Sequence, residues 1–136
     1  MAILFQPHPR SVVMCNFAGF VVPEMVKVRP VVVVARHRQN RQLVTVIPLS
    51  TSQPNTLKAH HHELSINPLP DKENIICWAK CDMVSTVSLH RLDRYLIGKR
   101  NYVVPVISEQ DFAAILAGVA AALGIPQNPV ISRFDV

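Results

Sequence analysis

The sequence predicts a mainly β fold, a small and strongly bent sheet or barrel with one C-terminal helix. Short apolar, β-branched runs such as Val31-Val32-Val33-Val34-Ala35 recur as far as Val106. Turn-forming residues, including 11 prolines, punctuate them. Only one stretch, near the C-terminus, places apolar residues at helical spacing.

Ser11 to Phe17 reads as the first strand, followed by a loop over residues 18–27 with Gly19 and Pro23. Arg29-Pro30 opens the valine run, a buried strand. Proline is tolerated at its first position because that amide need not join the ladder. Arg36 to Gln42 is a polar connection and Leu43 to Leu49 the next strand. Ser50 to Ala59 reads as loop, His62 to Ile66 as a short strand, and Asn67-Pro68-Leu69-Pro70-Asp71 as a turn. A strand is expected over Asn74 to Lys80, with Trp78 in the core, and Asp82 to Ser88 continues extended. Ser88 to Arg94 suits one helical turn, and Tyr102 to Val106 a late strand. Ser108 three residues before Asp111 is a capping signal. Phe112, Ile115, Leu116, Val119 and Leu123 then keep helical spacing up to Gly124, a natural stop. The helix is expected over residues 109–123. We expect one domain over residues 1–124 and a C-terminal tail over residues 125–136.

Hydrophobic residues at 49% are enough for a core, and charged residues at 17% are too few for disorder. No apolar run reaches the roughly 20 residues needed to cross a bilayer. The opening Met-Ala-Ile-Leu-Phe-Gln-Pro lacks a signal peptide's basic and apolar regions, so a cytoplasmic protein is expected. Cys15, Cys77 and Cys81 are then expected reduced and buried. On a strand, Cys77 and Cys81 would stand about 13 Å apart, too far to share an ion. A net charge of +5 favours polyanionic partners.

Asn16-Phe17, a loop, Glu24, then Lys27-Val28-Arg29-Pro30 and the valine run resemble the opening of MazF/PemK toxins. Val46-Ile47-Pro48-Leu49-Ser50-Thr51-Ser52 is similar to that family's strand ending in a threonine-bearing loop. Trp78 to Val87 followed by Arg91-Leu92 is similar to its strand leading into a short helix. The resemblance covers most of residues 10–124. It implies an SH3-like barrel of the MazF/PemK/CcdB type, usually a homodimer, that cleaves single-stranded RNA such as mRNA without a metal or other cofactor. It also implies an antitoxin that inhibits by lying in the active-site groove.

Such cleavage uses the RNA's own 2′-hydroxyl as nucleophile. It needs a base, a cation for the phosphorane oxygens and an acid for the leaving oxygen. Arg29 suits the cation, since its guanidinium meets two phosphate oxygens and stays charged. Glu24 is the candidate base, or orients Arg29 through an ion pair. Ser50 stands at the family's threonine position and Thr51 is its alternative; either hydroxyl can donate to a phosphate oxygen. Lys27, Arg36, Arg38 and Lys80 are the basic residues expected to meet RNA. His60-His61-His62-Glu63 lacks a third ligand at metal spacing and reads as a solvated loop, so no metal site is expected.

Two departures stand out. Val22-Pro23 replaces the family's Gly-Ser before the glutamate, and the loop around it is apolar: Phe20, Val21, Met25 and Val26. These favour, as an alternative, a catalytically inactive module that binds RNA or a protein. A CcdB-like gyrase poison ranks below both, because the chain ends Ser132-Arg133-Phe134-Asp135-Val136 where that class has Trp-Gly-Ile.

Overall fold

A computed structural model describes residues 3–126. Its strands are β1 (Val12–Asn16), β2 (Val28–Arg36), β3 (Leu43–Ser50), β4 (His61–Glu63), β5 (Trp78–Lys80), β6 (Ser85–Ser88), β7 (Leu92–Asp93), β8 (Tyr95–Ile97) and β9 (Asn101–Val103). One α-helix, α1 (Glu109–Leu123), follows, and 3-10 turns cover Cys81–Met83 and Leu89–Arg91.

β1, β2 and β3 form an antiparallel meander, and β7 adds to the free edge of β1. On its other side β3 serves two partners. Val46 pairs with Ser85 of β6, whereas Leu49 pairs with Ala79 of β5, and β4 lies beyond β5. Pro48 sits between those pairings, so its missing amide falls where β3 changes partner. The class is the one expected, mainly β with a C-terminal helix. The ladder is open, however: β4 and β7 end the path, and no pairing joins them among the described residues.

The valine run is apolar throughout because both faces of the sheet are covered. Val32 packs in one core with Val12, Ile47, Leu49, Cys81 and Ile115. Val31 and Val33 point the other way, into a second core with Val13, Cys15, Phe17, Val44, Val46 and Leu92. An antiparallel strand with one solvated face would alternate; this one has none to solvate.

Residue 108 caps α1 as the spacing predicts, its hydroxyl accepting from the Asp111 amide, and Gly124 ends it in the left-handed region at φ 72°. Ile115 enters the first core, with Phe112 and Val119 beside it, while Leu116 and Leu123 stay exposed. Gly118 makes the close approach. A Cβ there would lie 2.7 Å from the Cys81 Sγ and 3.1 Å from the His60 carbonyl oxygen.

The histidine run is not a solvated loop. His61 to Glu63 form β4, and the His62 Nε2 lies 2.9 Å from the Asp111 Oδ1. The buried Asp111 carboxylate also accepts from the Ser65 hydroxyl at 2.7 Å and from the Ser65 amide. His60 stands 3.5 Å from Asp82. These contacts tie β4 to the start of α1 and to the 3-10 turn beneath it.

Other boundaries move. The strand expected over 74–80 shortens to Trp78–Lys80, because the residues before it fold into a loop that walls the site. The helical turn near 88–94 covers only Leu89–Arg91 before the chain rejoins the sheet as β7. The late strand becomes the β8–β9 hairpin, turned by Gly98 at φ 64°, and Val106 makes a single bridge to Ser11. Of the expected tail, residues 127–136 lie outside the described residues.

Two measurements follow from this packing. Gly118→Ala is expected to destabilise the chain by about 1–3 kcal/mol through overpacking, read as a lower urea midpoint at constant m-value; an unchanged midpoint would refute the close approach. Burial raises the Asp111 pKa, but hydrogen bonds from Ser65 and His62 outweigh it and hold the carboxyl below its ordinary 3.8. Its contribution is therefore complete above that value and lost as pH falls through the lower, folded one. Asp111→Asn is expected to be less stable at neutral pH by about 1–3 kcal/mol, and to lose less than wild type between about pH 5 and pH 1. Parallel stability curves for the two proteins would contradict this.

Candidate functional site

Arg29 lies inside β2 rather than ahead of it, paired with Cys15 of β1. On the other side Val31 pairs with Pro48 and Val32 with Ile47. Continuing that register sets Arg29 across from Ser50, the last residue of β3. Side chains directly opposite in a ladder share a face, and the arginine and the hydroxyl do line one cavity. The Arg29 Nε is buried and has no hydrogen-bond partner among the described residues. A buried guanidinium donor left unpaired is costly, and an anionic acceptor would remove that cost.

A cavity of about 280 Å³ opens at this end of the sheet. Arg29, Ser50, Thr51 and Lys72 line it together with apolar residues such as Met14 and Leu49, and no carboxylate does. The Ser50 hydroxyl oxygen accepts from the Ser52 amide at 3.1 Å, which orients it at the strand end. Thr51 is exposed on the following turn.

Glu24 is placed differently from Arg29. Its Oε1 accepts from the Val21 amide at 2.6 Å and its own amide donates to the Val21 carbonyl, so it closes a turn within the loop. No ion pair joins Glu24 to Arg29 among the described residues. Lys27 is exposed at the end of that loop, next to β2. Arg36 and Arg38 are not beside the cavity. Arg36 stands seven residues further along β2, about 23 Å at the rise of a strand. Its guanidinium donates to the carbonyls of Gln6 and Pro7 and meets the His8 ring, which fastens the N-terminal segment. Lys80 pairs with His61 on the side of the sheet that carries α1.

The loop over residues 18–26 is latched by a residue that sequence reading used only as a family marker. The Arg91 Nη1 donates to the carbonyls of Asn16 and Ala18 at 2.9 and 2.7 Å. Its guanidinium lies 4.8 Å from the Phe20 ring centroid, and Phe20 meets Phe17 edge-on at 5.3 Å. Phe20 and Met25 thereby close over the second core, leaving Val21 and Val22 exposed at 70% and 73%. Cys15 lies in that core; burial, outweighing nearby Arg91, pushes its thiol up to about 11. Burial does the same to Cys77 and Cys81. All three thiols are protonated at neutral pH and are not nucleophiles.

The loop that brings Asn67, Leu69 and Lys72 to the cavity was also missed. Asn67, buried, donates to the Ile75 carbonyl and accepts from the Leu69 amide, which folds residues 67–75 into a tight loop. Asp71 on that loop accepts from the Tyr95 hydroxyl at 2.7 Å. The prolines at 68 and 70 marked a turn, but nothing local marked what the turn would face.

Residues 8–123 match the model of a family described as PemK-like, MazF-like toxins of type II toxin–antitoxin systems. The protein YifN of Escherichia coli (strain K12) is 34% identical over 115 residues, covering 69% of this chain and 76% of that one. Among solved structures, a mycobacterial endoribonuclease in complex with its cognate antitoxin superposes with a TM-score of 0.64 at 17% identity, over 90% of this chain and 100% of that one. MazF from Deinococcus radiodurans gives 0.65 at 13% identity, over 87% and 96%. At such identities the solved structures establish a shared fold. Among the described residues no helix is long and apolar enough to cross a membrane.

The latch has a direct readout. Arg91→Ala is expected to speed amide hydrogen exchange in residues 17–27 while leaving α1 as protected as before. Equal protection of the loop in both proteins would show that Arg91 does not hold it.

Proposed function

The chain belongs to the PemK-like, MazF-like family of toxins of type II toxin–antitoxin systems, and from that premise we propose that it is an endoribonuclease acting on single-stranded RNA. The reaction is attack of the RNA's own 2′-hydroxyl on the adjacent phosphorus, with no metal taking part. A bond forms between phosphorus and the 2′-oxygen and the bond to the 5′-oxygen breaks. The departing 5′-oxygen takes a proton from solvent water, and the products are a 2′,3′-cyclic phosphate and a 5′-hydroxyl.

One observation carries this reading. A guanidinium with a buried, unpartnered Nε shares with an oriented hydroxyl a cavity lined by two cations and no carboxylate. Such a site is built for an anion whose negative charge increases during the reaction. Arg29 stabilises the phosphorane oxygens, and Ser50, with Thr51 as the alternative, donates to one of them. Glu24 is the base we assign for the 2′-hydroxyl; it sits on the loop that runs into the Arg29 strand and outside the cavity lining, so this role requires that loop to turn toward bound RNA. Its Oε1 is engaged by Val21, so proton transfer falls to Oε2. Lys27, next to β2, meets the RNA backbone beside this centre. Arg36, Arg38 and Lys80, away from the cavity, lie outside that core of contacts.

The fold match to a toxin bound to its antitoxin supports an antitoxin as the protein partner, acting by covering this cavity. We further take the working form to be a cytoplasmic homodimer, as in the family. The exposed Val21–Val22 tip favours a second reading, a binding module without cleavage. The chain-end residues that bear on a gyrase poison lie outside the described residues.

Incubation of purified protein with single-stranded RNA in EDTA, followed by end mapping, tests the proposal. Wild type is expected to leave 2′,3′-cyclic phosphate ends, and Arg29→Ala to cut at least about 100-fold more slowly. RNA bound but left intact would favour the binding module. Cleavage unaffected by Arg29→Ala would place the reaction elsewhere.

A further inference from the structure

We propose that Lys72 is a second phosphate-binding cation of this groove, meeting the phosphate next to the one that Arg29 meets, and that the Asp71–Tyr95 hydrogen bond positions it. The inference rests on the nucleic-acid reading above but not on catalysis.

Lys72 and Arg29 line the same cavity, Arg29 from β2 and Lys72 from the loop between β4 and β5. The cavity lining holds two cations, Arg29 and Lys72, and no carboxylate. The Lys72 ammonium makes no hydrogen bond or ion pair among the described residues. Asp71, the acid beside it in sequence, is turned to the Tyr95 hydroxyl at 2.7 Å. Asp71 is thus occupied, Glu73 on the other side makes no ion pair with Lys72 among the described residues, and the lysine is left for a ligand.

The loop is rigid enough to aim a side chain. Its ends are joined by Asn67, through the Ile75 carbonyl at 3.1 Å and the Leu69 amide at 3.0 Å. The Lys72 amide donates to the Leu69 carbonyl and its carbonyl accepts from Ile75, both at 2.9 Å, so the residue is pinned at its backbone. Tyr95 ties the loop to β8. Burial and the Asp71 carboxylate push the Tyr95 hydroxyl up to about 12, so it remains a donor across the physiological range. A flexible lysine on a mobile loop would lose both backbone and side-chain entropy on meeting a phosphate; a pinned backbone removes the backbone share of that loss.

The chemistry shared by possible ligands is a phosphate oxyanion, and the test separates a polymer from a free anion. The probe is a fluorescein-labelled 2′-O-methyl RNA of randomised sequence, which lacks the attacking hydroxyl and so reports binding apart from cleavage. Anisotropy is followed over a series of KCl concentrations. Lys72→Gln is expected to bind about tenfold more weakly, with the slope of log K against log salt reduced by about 0.7, the value for one contact to a single strand. Lys72→Arg is expected to restore both. Tyr95→Phe keeps the charge, so affinity should fall while the slope holds; binding equal to wild type would overturn the positioning role of Tyr95. Unchanged affinity and slope in Lys72→Gln, at unchanged thermal stability, would overturn the proposal, as would an RNA that wild type does not bind. Inorganic phosphate binding that needs Lys72 while RNA binding does not would assign the site to a small anion and overturn the RNA contact. Lys72-dependent binding by a wild type that does not cleave ordinary RNA would refute the nuclease reading and leave this one standing; cleavage with Lys72-independent binding would do the reverse.

Discussion

The structure depends on one strand being buried on both faces. Val31, Val32 and Val33 of β2 are inaccessible to solvent, and alternate side chains feed different cores. A strand so placed must be central, must keep its register, and leaves the core only at its ends. Slipping by one residue would exchange the contents of the two cores and move Arg29 off Ser50. The register that satisfies packing is therefore also the register that assembles the site. Stability and the geometry of the candidate site are, in that sense, one constraint.

What surrounds that strand is fastened by a few polar side chains rather than by length of secondary structure. β4 is three residues long and its hold on α1 comes from His62, Ser65 and the buried Asp111. The loop after β1 has no ladder of its own and is held by Arg91. The loop before β5 closes on Asn67. Each is a buried or half-buried polar group with its partners supplied, which gives a particular arrangement where burial alone would accept several. The exposed Val21–Val22 tip and the unpaired Arg29 Nε are left over, and both lie toward the end of the molecule where a partner or substrate is proposed to bind.

Much of the fold was legible from residue pattern. The valine run, the Leu43 strand and α1 with its Ser108 cap and Gly124 stop lie close to where periodicity and capping chemistry put them. The β8–β9 hairpin was not, because three-residue strands joined at Gly98 have too few positions to show a period. The loop over 67–77 was misread in part as strand because Ile75, Ile76 and Cys77 are apolar, yet both isoleucines are exposed. Of the candidate site, family spacing pointed to Arg29 and Ser50, and the structure places both in one cavity. Lys72 was not, since its meaning comes from a side-chain bond between Asp71 and Tyr95, 24 residues apart. His62 was misjudged for the same kind of reason: its partner Asp111 is 49 positions away. Arg36 was read as a groove residue from charge alone, and charge does not reveal that a guanidinium is already committed to the backbone of Gln6 and Pro7.

The distribution of the buried thiols gives the molecule an internal reporter of how it comes apart. Cys15 belongs to the core beneath the Arg91-latched loop, whereas Cys77 and Cys81 belong to the core capped by α1. Held protonated and buried, Cys15 and Cys81 react only when their own cores open, whereas Cys77 also lines the cavity that holds Arg29. Reagent uptake at Cys15 would record loss of the loop side, and uptake at Cys81 would record departure of the helix whose Gly118 lies against it. With a mass spectrometer distinguishing the three positions, the native cysteines would show whether the two halves of this fold open together or one ahead of the other.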